Sequence, residues 1–147
     1  MNRLVLLLWI TVFALFALIV VGAYVAAGGF GEACGSSVPA DWPLCNGNLL
    51  PAPQLAPVAE YTHRLLAALS ALFLFVTTFI SFRGPVAKAS IKALLSVASL
   101  LLIFQIVLGG AVVANELDAI LVAVHQGIAI LIFGLGVAAI TISRQRA

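Results

Sequence analysis

PVAEYTHRLLAALSALFLFVTTFISF, residues 57–82, places Glu60, His63 and Arg64 at the mouth of a run that is otherwise nearly all apolar. A run of this length crosses a hydrocarbon core of ~30 Å as a helix. It must be helical, because lipid leaves the backbone no other way to satisfy its own polar groups. Ionisable groups are expensive there, and their presence marks a functional site. Three more runs of similar length flank it, at about residues 4–26, 91–114 and 119–143. The chain has 147 residues, of which 64% are hydrophobic and 8% charged. That balance excludes an ordinary soluble domain. The expected fold is all-α: one transmembrane domain, residues 1–147, built as a four-helix bundle in the cell membrane.

Arg3, Arg83, Lys88, Lys92, Arg144 and Arg146 fall on one side of a four-pass arrangement, with Glu32, Asp41, Glu116 and Asp118 on the other. The positive-inside rule then puts both termini in the cytoplasm. Arg3 before an apolar run and the small residues at Val25-Ala26-Ala27 resemble a secretion signal. The run exceeds a signal core of about 7–15 residues, so a retained first helix is expected. Residues 27–56 form the one long connection, on the outer side, and hold both cysteines, Cys34 and Cys45. That side is oxidising, so a disulfide can persist. Two free thiols or a redox-active pair fit the same residues. Trp42 among prolines suits a cap on the membrane interface. Gly84-Pro85 marks a turn in the short inner connection, and residues 115–118 join the last two helices. Short connections make those neighbours antiparallel.

The other histidine, His125, lies at a depth matching His63. His63-Arg64-Leu65-Leu66-Ala67 and His125-Gln126-Gly127-Ile128-Ala129 share a His-[Arg/Gln]-x-x-Ala pattern, a weak sign of parallel repeats. Two imidazoles on two helices can fill both axial positions of a haem iron. Ala67 and Ala129, one turn on, leave room for a flat ring. Hydrogen bonding between helices is the plainer role for the same pair. Copper or zinc would want a larger ligand cluster. Ser70, Thr77 and Ser81 follow His63 along one inward face. Glu60 neighbours His63 and Arg64 in a helix. It either pairs locally with Arg64 or handles protons; Arg64 suits a haem propionate. Gln105, Gly109 and Gly110 cluster in the third helix, with Gln105 and Gly109 on one face; helix packing is the plainer role for them and a direct part in the site the other.

Together, Asp41-Trp42-Pro43-Leu44-Cys45-Asn46-Gly47, Glu60-Tyr61-Thr62-His63-Arg64, Gln105-Ile106-Val107-Leu108-Gly109-Gly110 and His125 resemble the haem A synthase family of cytochrome oxidase assembly proteins. Members usually have eight helices in two related halves, and this chain is similar to the compact, half-length form. The resemblance implies a membrane oxidoreductase that converts haem O to haem A by oxidising a methyl group to formyl. It implies His63 and His125 as iron ligands, Glu60 as the catalytic acid, and haem b, haem O or haem A as cofactor, substrate or product. Cys45 matches the family's second loop cysteine. The first usually stands just before Pro-Asp-Trp, where this chain has Pro39; Cys34 lies five residues earlier. A half-length chain implies a homo-oligomer. Further partners would be the lipid bilayer and haem O synthase or oxidase assembly factors; no nucleic acid is expected. The same bis-histidine frame would also serve a membrane cytochrome b passing electrons, or a haem carrier without enzymatic activity.

Overall fold

Each apolar run becomes one helix in the computed structural model, which describes residues 3–35, 41, 44–83 and 88–145. The helices are α1 (Arg3–Ala27), α2 (Leu55–Arg83), α3 (Ala89–Ala114) and α4 (Ala119–Arg144). The shortest has 25 residues, or about 38 Å at 1.5 Å per residue, so all four are long and apolar enough to span a bilayer. The chain is a multi-pass membrane protein. The first turn of α2 holds Pro57, where a missing N–H costs nothing. Hence that helix begins two residues before the apolar run. Trp42, Gly84-Pro85 and Arg146 lie outside the described residues.

Helices adjacent in sequence pack together, and α1 also packs against α4. Within the described residues the backbones of α2 and α4 do not approach closely, nor do those of α1 and α3, so each pair lies on a diagonal. Leu8, Leu74, Leu95 and Ile132 contribute one fully buried side chain from each helix. Large apolar residues such as Phe13, Leu100, Val107 and Ile120 face outward, as a lipid solvent allows. Hydrogen bonds replace hydrophobic attraction between helices here. Thr11 and Thr77 are 2.8 Å apart across α1 and α2, and Thr78 and Ser99 are 2.9 Å apart across α2 and α3. Ser70, Thr77 and Ser81 are fully buried, as their common face requires.

The two hairpins, α1–α2 and α3–α4, repeat the same packing register. In α1 the buried residues are Leu4, Leu8, Thr11, Val12, Leu15 and Val25. Moved by 87 positions, each lands on a buried residue of α3: Ile91, Leu95, Ala98, Ser99, Leu102 and Val112. The helix ends repeat too. Phe30 N–H donates to the Val25 carbonyl and Gly29 N–H to Ala26, while Leu117 donates to Val112 and Glu116 to Val113. Both are Schellman ends, and the left-handed residue is Gly29 in one and Glu116 in the other. For α2 and α4 the shift is 62: Ser70, Leu74 and Thr77 map onto Ile132, Gly136 and Ala139, all buried. The difference between the two shifts, 87 less 62, is an insertion of 25 residues between α1 and α2.

Basic residues gather at one end of the bundle. Arg83 lies over Phe79, Lys92 over Phe82 and Arg144 over Trp9, with their stems along the apolar surface. At the opposite end the insertion forms a cap. Cys34 and Cys45 are joined by a disulfide. Asn46-Gly47 makes a tight turn with both residues at positive φ, closed by paired hydrogen bonds between Cys45 and Asn48.

Candidate functional site

His63 on α2 and His125 on α4 come from diagonal helices at the cap end of the bundle and are related by the same 62-residue shift. Both side chains are half-buried. The Nδ1 atom of each ring is buried without a hydrogen-bond partner. Leaving a buried polar atom unpaired costs roughly 1–3 kcal/mol, so two such atoms at one level mark a site made for something else. Among the described residues no group of three or more His, Cys, Asp or Glu gathers to hold a bare metal ion. Two imidazoles are therefore the donor set on offer, and that is the set a haem iron takes.

Each ring rests on a glycine of the neighbouring helix. A Cβ at Gly22 of α1 would stand 2.7 Å from His63 Cε1, and one at Gly109 of α3 would stand 3.1 Å from His125 Cε1. Gly22 and Gly109 are themselves related by the 87-residue shift. The packing role expected for Gly109 is thus specific: it makes room for an imidazole. Gly22 was missed by motif reading. Its signal was the register shared with Gly109, visible only once both helices are aligned over their whole length. Gln105 sits one turn below Gly109 and its Nε2 donates to the His125 carbonyl at 2.6 Å. Its Oε1 is buried and unpartnered.

Glu60 and Arg64 are both nearly inaccessible, 4% and 9% exposed at the side chain, and form an ion pair along α2. The local pairing expected from their spacing is present, but it is part of a larger clamp. Glu60 Oε2 accepts from the Cys34 N–H at 2.7 Å. Arg64 Nη1 donates to the carbonyls of Asp41 (2.9 Å) and Leu44 (2.8 Å), and Nη2 donates to Gly35 (3.4 Å). Tyr61 donates to the Leu49 carbonyl at 2.8 Å. So three residues of the Glu60–Arg64 stretch fasten the disulfide cap onto α2. Gly35 adopts φ +94°, and a Cβ there would collide with the Asp41 carboxylate. Both terminal nitrogens of Arg64 are committed to the cap or to Glu60. The loop carbonyls that hold Arg64 carry no side-chain signature, and no motif could have named them.

The family described as cytochrome oxidase assembly protein matches residues 1–137. A heme A synthase of Bacillus licheniformis is 32% identical over 126 residues, covering 84% of this chain and 40% of the relative. One of Alkalihalophilus pseudofirmus is 36% identical over 121 residues, covering 81% and 39%. One of Exiguobacterium is 31% identical over 117 residues, covering 78% and 37%. The chain spans about two fifths of the length of these curated relatives. No solved structure matches it. Over nearly its whole length, then, the chain belongs to the cytochrome oxidase assembly protein family.

Proposed function

We propose that this four-helix unit binds haem between His63 and His125 and acts as a haem A synthase-type oxidoreductase, taking haem O as substrate and yielding haem A. The observation that carries the proposal is the pair of imidazoles on diagonal helices with buried, unpartnered Nδ1 atoms. The glycine seats fit the same purpose: a methyl group at Gly22 would occupy space the His63 ring now uses. The iron supplies the redox chemistry of the reaction when bound.

The chain's own residues bind, orient and shield. His63 and His125 would hold the iron from two sides, with Gly22 and Gly109 fixing where the rings stand. Glu60 is one helical turn toward the cap from His63. Its Oε2, which accepts from the Cys34 N–H, would be the atom offered for proton exchange with a ligand below the cap. Arg64, beside it on α2, would be the residue to pair with a propionate. The cap, closed by Cys34–Cys45, keeps water from the outer end of the site. The basic end faces the cytoplasm, following the positive-inside rule. Self-association of the chain would supply a second four-helix unit, and haem O synthase or oxidase assembly factors would be its partners in haem handling.

The test is the identity of haems extracted from protein purified after co-expression with a haem O supply. Haem A, or a hydroxylated haem O, is expected. Unmodified haem B with a bis-histidine spectrum would replace the enzyme with an electron-transferring cytochrome b or a haem carrier. A folded bundle without haem would return both histidines to helix packing.

A further inference from the structure

The repeat of the two hairpins makes the interior nearly two-fold symmetric, so its departures from symmetry are informative. Gly22 and Gly109 match, as do the two histidines. Deeper in the bundle the match fails, one turn below Gly109 and two turns below His63. Gln105 on α3 corresponds to Leu18 on α1, and Ser70 on α2 corresponds to Ile132 on α4. Two buried polar side chains therefore stand in the interior where their counterparts in the repeat are Leu18 and Ile132.

Ser70 and Gln105 lie at one level. The Thr78–Ser99 hydrogen bond fixes the antiparallel register of α2 and α3. Ser70 is eight residues from Thr78 toward the cap, and Gln105 is six residues from Ser99 in the same direction. At 1.5 Å per residue their levels differ by about 3 Å. Ser70 is 0% and Gln105 7% exposed. Ser70 Oγ and Gln105 Oε1 both lack a hydrogen-bond partner. Glu60 and Arg64, by contrast, are already satisfied by the cap. Both residues stand deeper in the bundle than the two histidines, in the interior that a ligand held between the rings would share.

We propose that Ser70 and Gln105 form a subsite for an alcohol on the periphery of the bound macrocycle, and so select a hydroxyl-bearing tetrapyrrole over one without it. The inference rests on the two-histidine reading above. The ligand hydroxyl donates to Gln105 Oε1, and Ser70 Oγ–H donates to the hydroxyl oxygen. Haem O carries such an alcohol on its hydroxyethylfarnesyl group; haem B carries a vinyl group in that place. A site built around a hydroxyl discriminates strongly, because the analogue leaves buried polar atoms unpaired.

The experiment is spectroscopic titration of the purified apoprotein in detergent with haem O and, separately, haem B. The quantity read is the ratio of the two dissociation constants, which for each variant is compared with the wild-type ratio. Gln105→Met and Ser70→Ala are each expected to reduce the preference for haem O by about tenfold, with the bis-histidine spectrum retained. Ser70→Ala leaves the Gln105–His125 contact intact and guards against a general loss of packing in the other variant. A preference unchanged within about twofold in both variants would overturn the subsite while leaving the histidine ligands in place. Wild-type protein that binds neither haem would overturn both readings.

Discussion

The α1–α2 and α3–α4 hairpins bury the same positions with different chemistry. Where the first has Thr11 and Thr77 bonded across its interface, the second has Ala98 and Ala139, equally buried. Where the first has Glu60 and Arg64, the second has Val122 and Gln126. Where the first inserts a disulfide cap, the second turns in four residues, with Asp118 accepting from the N–H groups of Ile120 and Leu121. Packing geometry and residue identity are thus separable in this molecule. One backbone unit is used twice; one copy carries most of the polar network, and the other adds His125, Gln105 and Ser99 to an otherwise apolar scaffold.

Making the first hairpin resemble the second should break this division in a graded way. The largest effect is expected from Arg64→Gln, which strands the buried Glu60 carboxylate and frees three cap carbonyls. Removing one partner of a buried pair costs about 3 kcal/mol or more. Adding Glu60→Val, the residue found at 122, should recover part of that loss, with a coupling of roughly 1–3 kcal/mol. Reversible unfolding in mixed detergent micelles measures both; strictly additive losses would mean that the clamp is not a unit.

A smaller contrast concerns the ring seats. Gly22→Ala brings a methyl group to 2.7 Å from the His63 ring and Gly109→Ala to 3.1 Å from the His125 ring. The first should cost about 2 kcal/mol and the second less than about 1 kcal/mol, with the stronger haem-spectrum perturbation at Gly22. Equal effects would show that the two seats are equivalent in tightness. The smallest change is Thr11→Ala with Thr77→Ala, which copies Ala98 and Ala139. A double-mutant cycle should give a coupling of only about 0.6 kcal/mol. A much larger value would assign the pair more than a packing role.

Much of this was legible from sequence. In lipid the hydrocarbon thickness dictates helix length, so the apolar runs locate α1 to α4 to within two residues at either end. His63 and His125 stand out because ionisable groups are rare there, and the structure brings them to one level. The Glu60–Arg64 pair follows from helical spacing. Gly22 did not stand out, since glycine is common in membrane helices and this one acts through a ring 41 positions away in the chain. The clamp around Arg64 was equally hidden, because its acceptors are main-chain atoms. The extent of the repeat escaped as well. Thr11 and Ala98, or Ser70 and Ile132, share a place in the packing without sharing a side chain.

Arg64 grips the cap through the carbonyls of residues 35, 41 and 44, and Glu60 through the amide of residue 34. None of these contacts reads a cap side chain. The instructions for how the cap sits are therefore written largely in α2. Substitutions within the cap that preserve its path would leave its attachment untouched, whereas one change at Arg64 would release it. The cap is free to diversify toward whatever meets it at the membrane surface, while the helix below keeps it seated over the histidines.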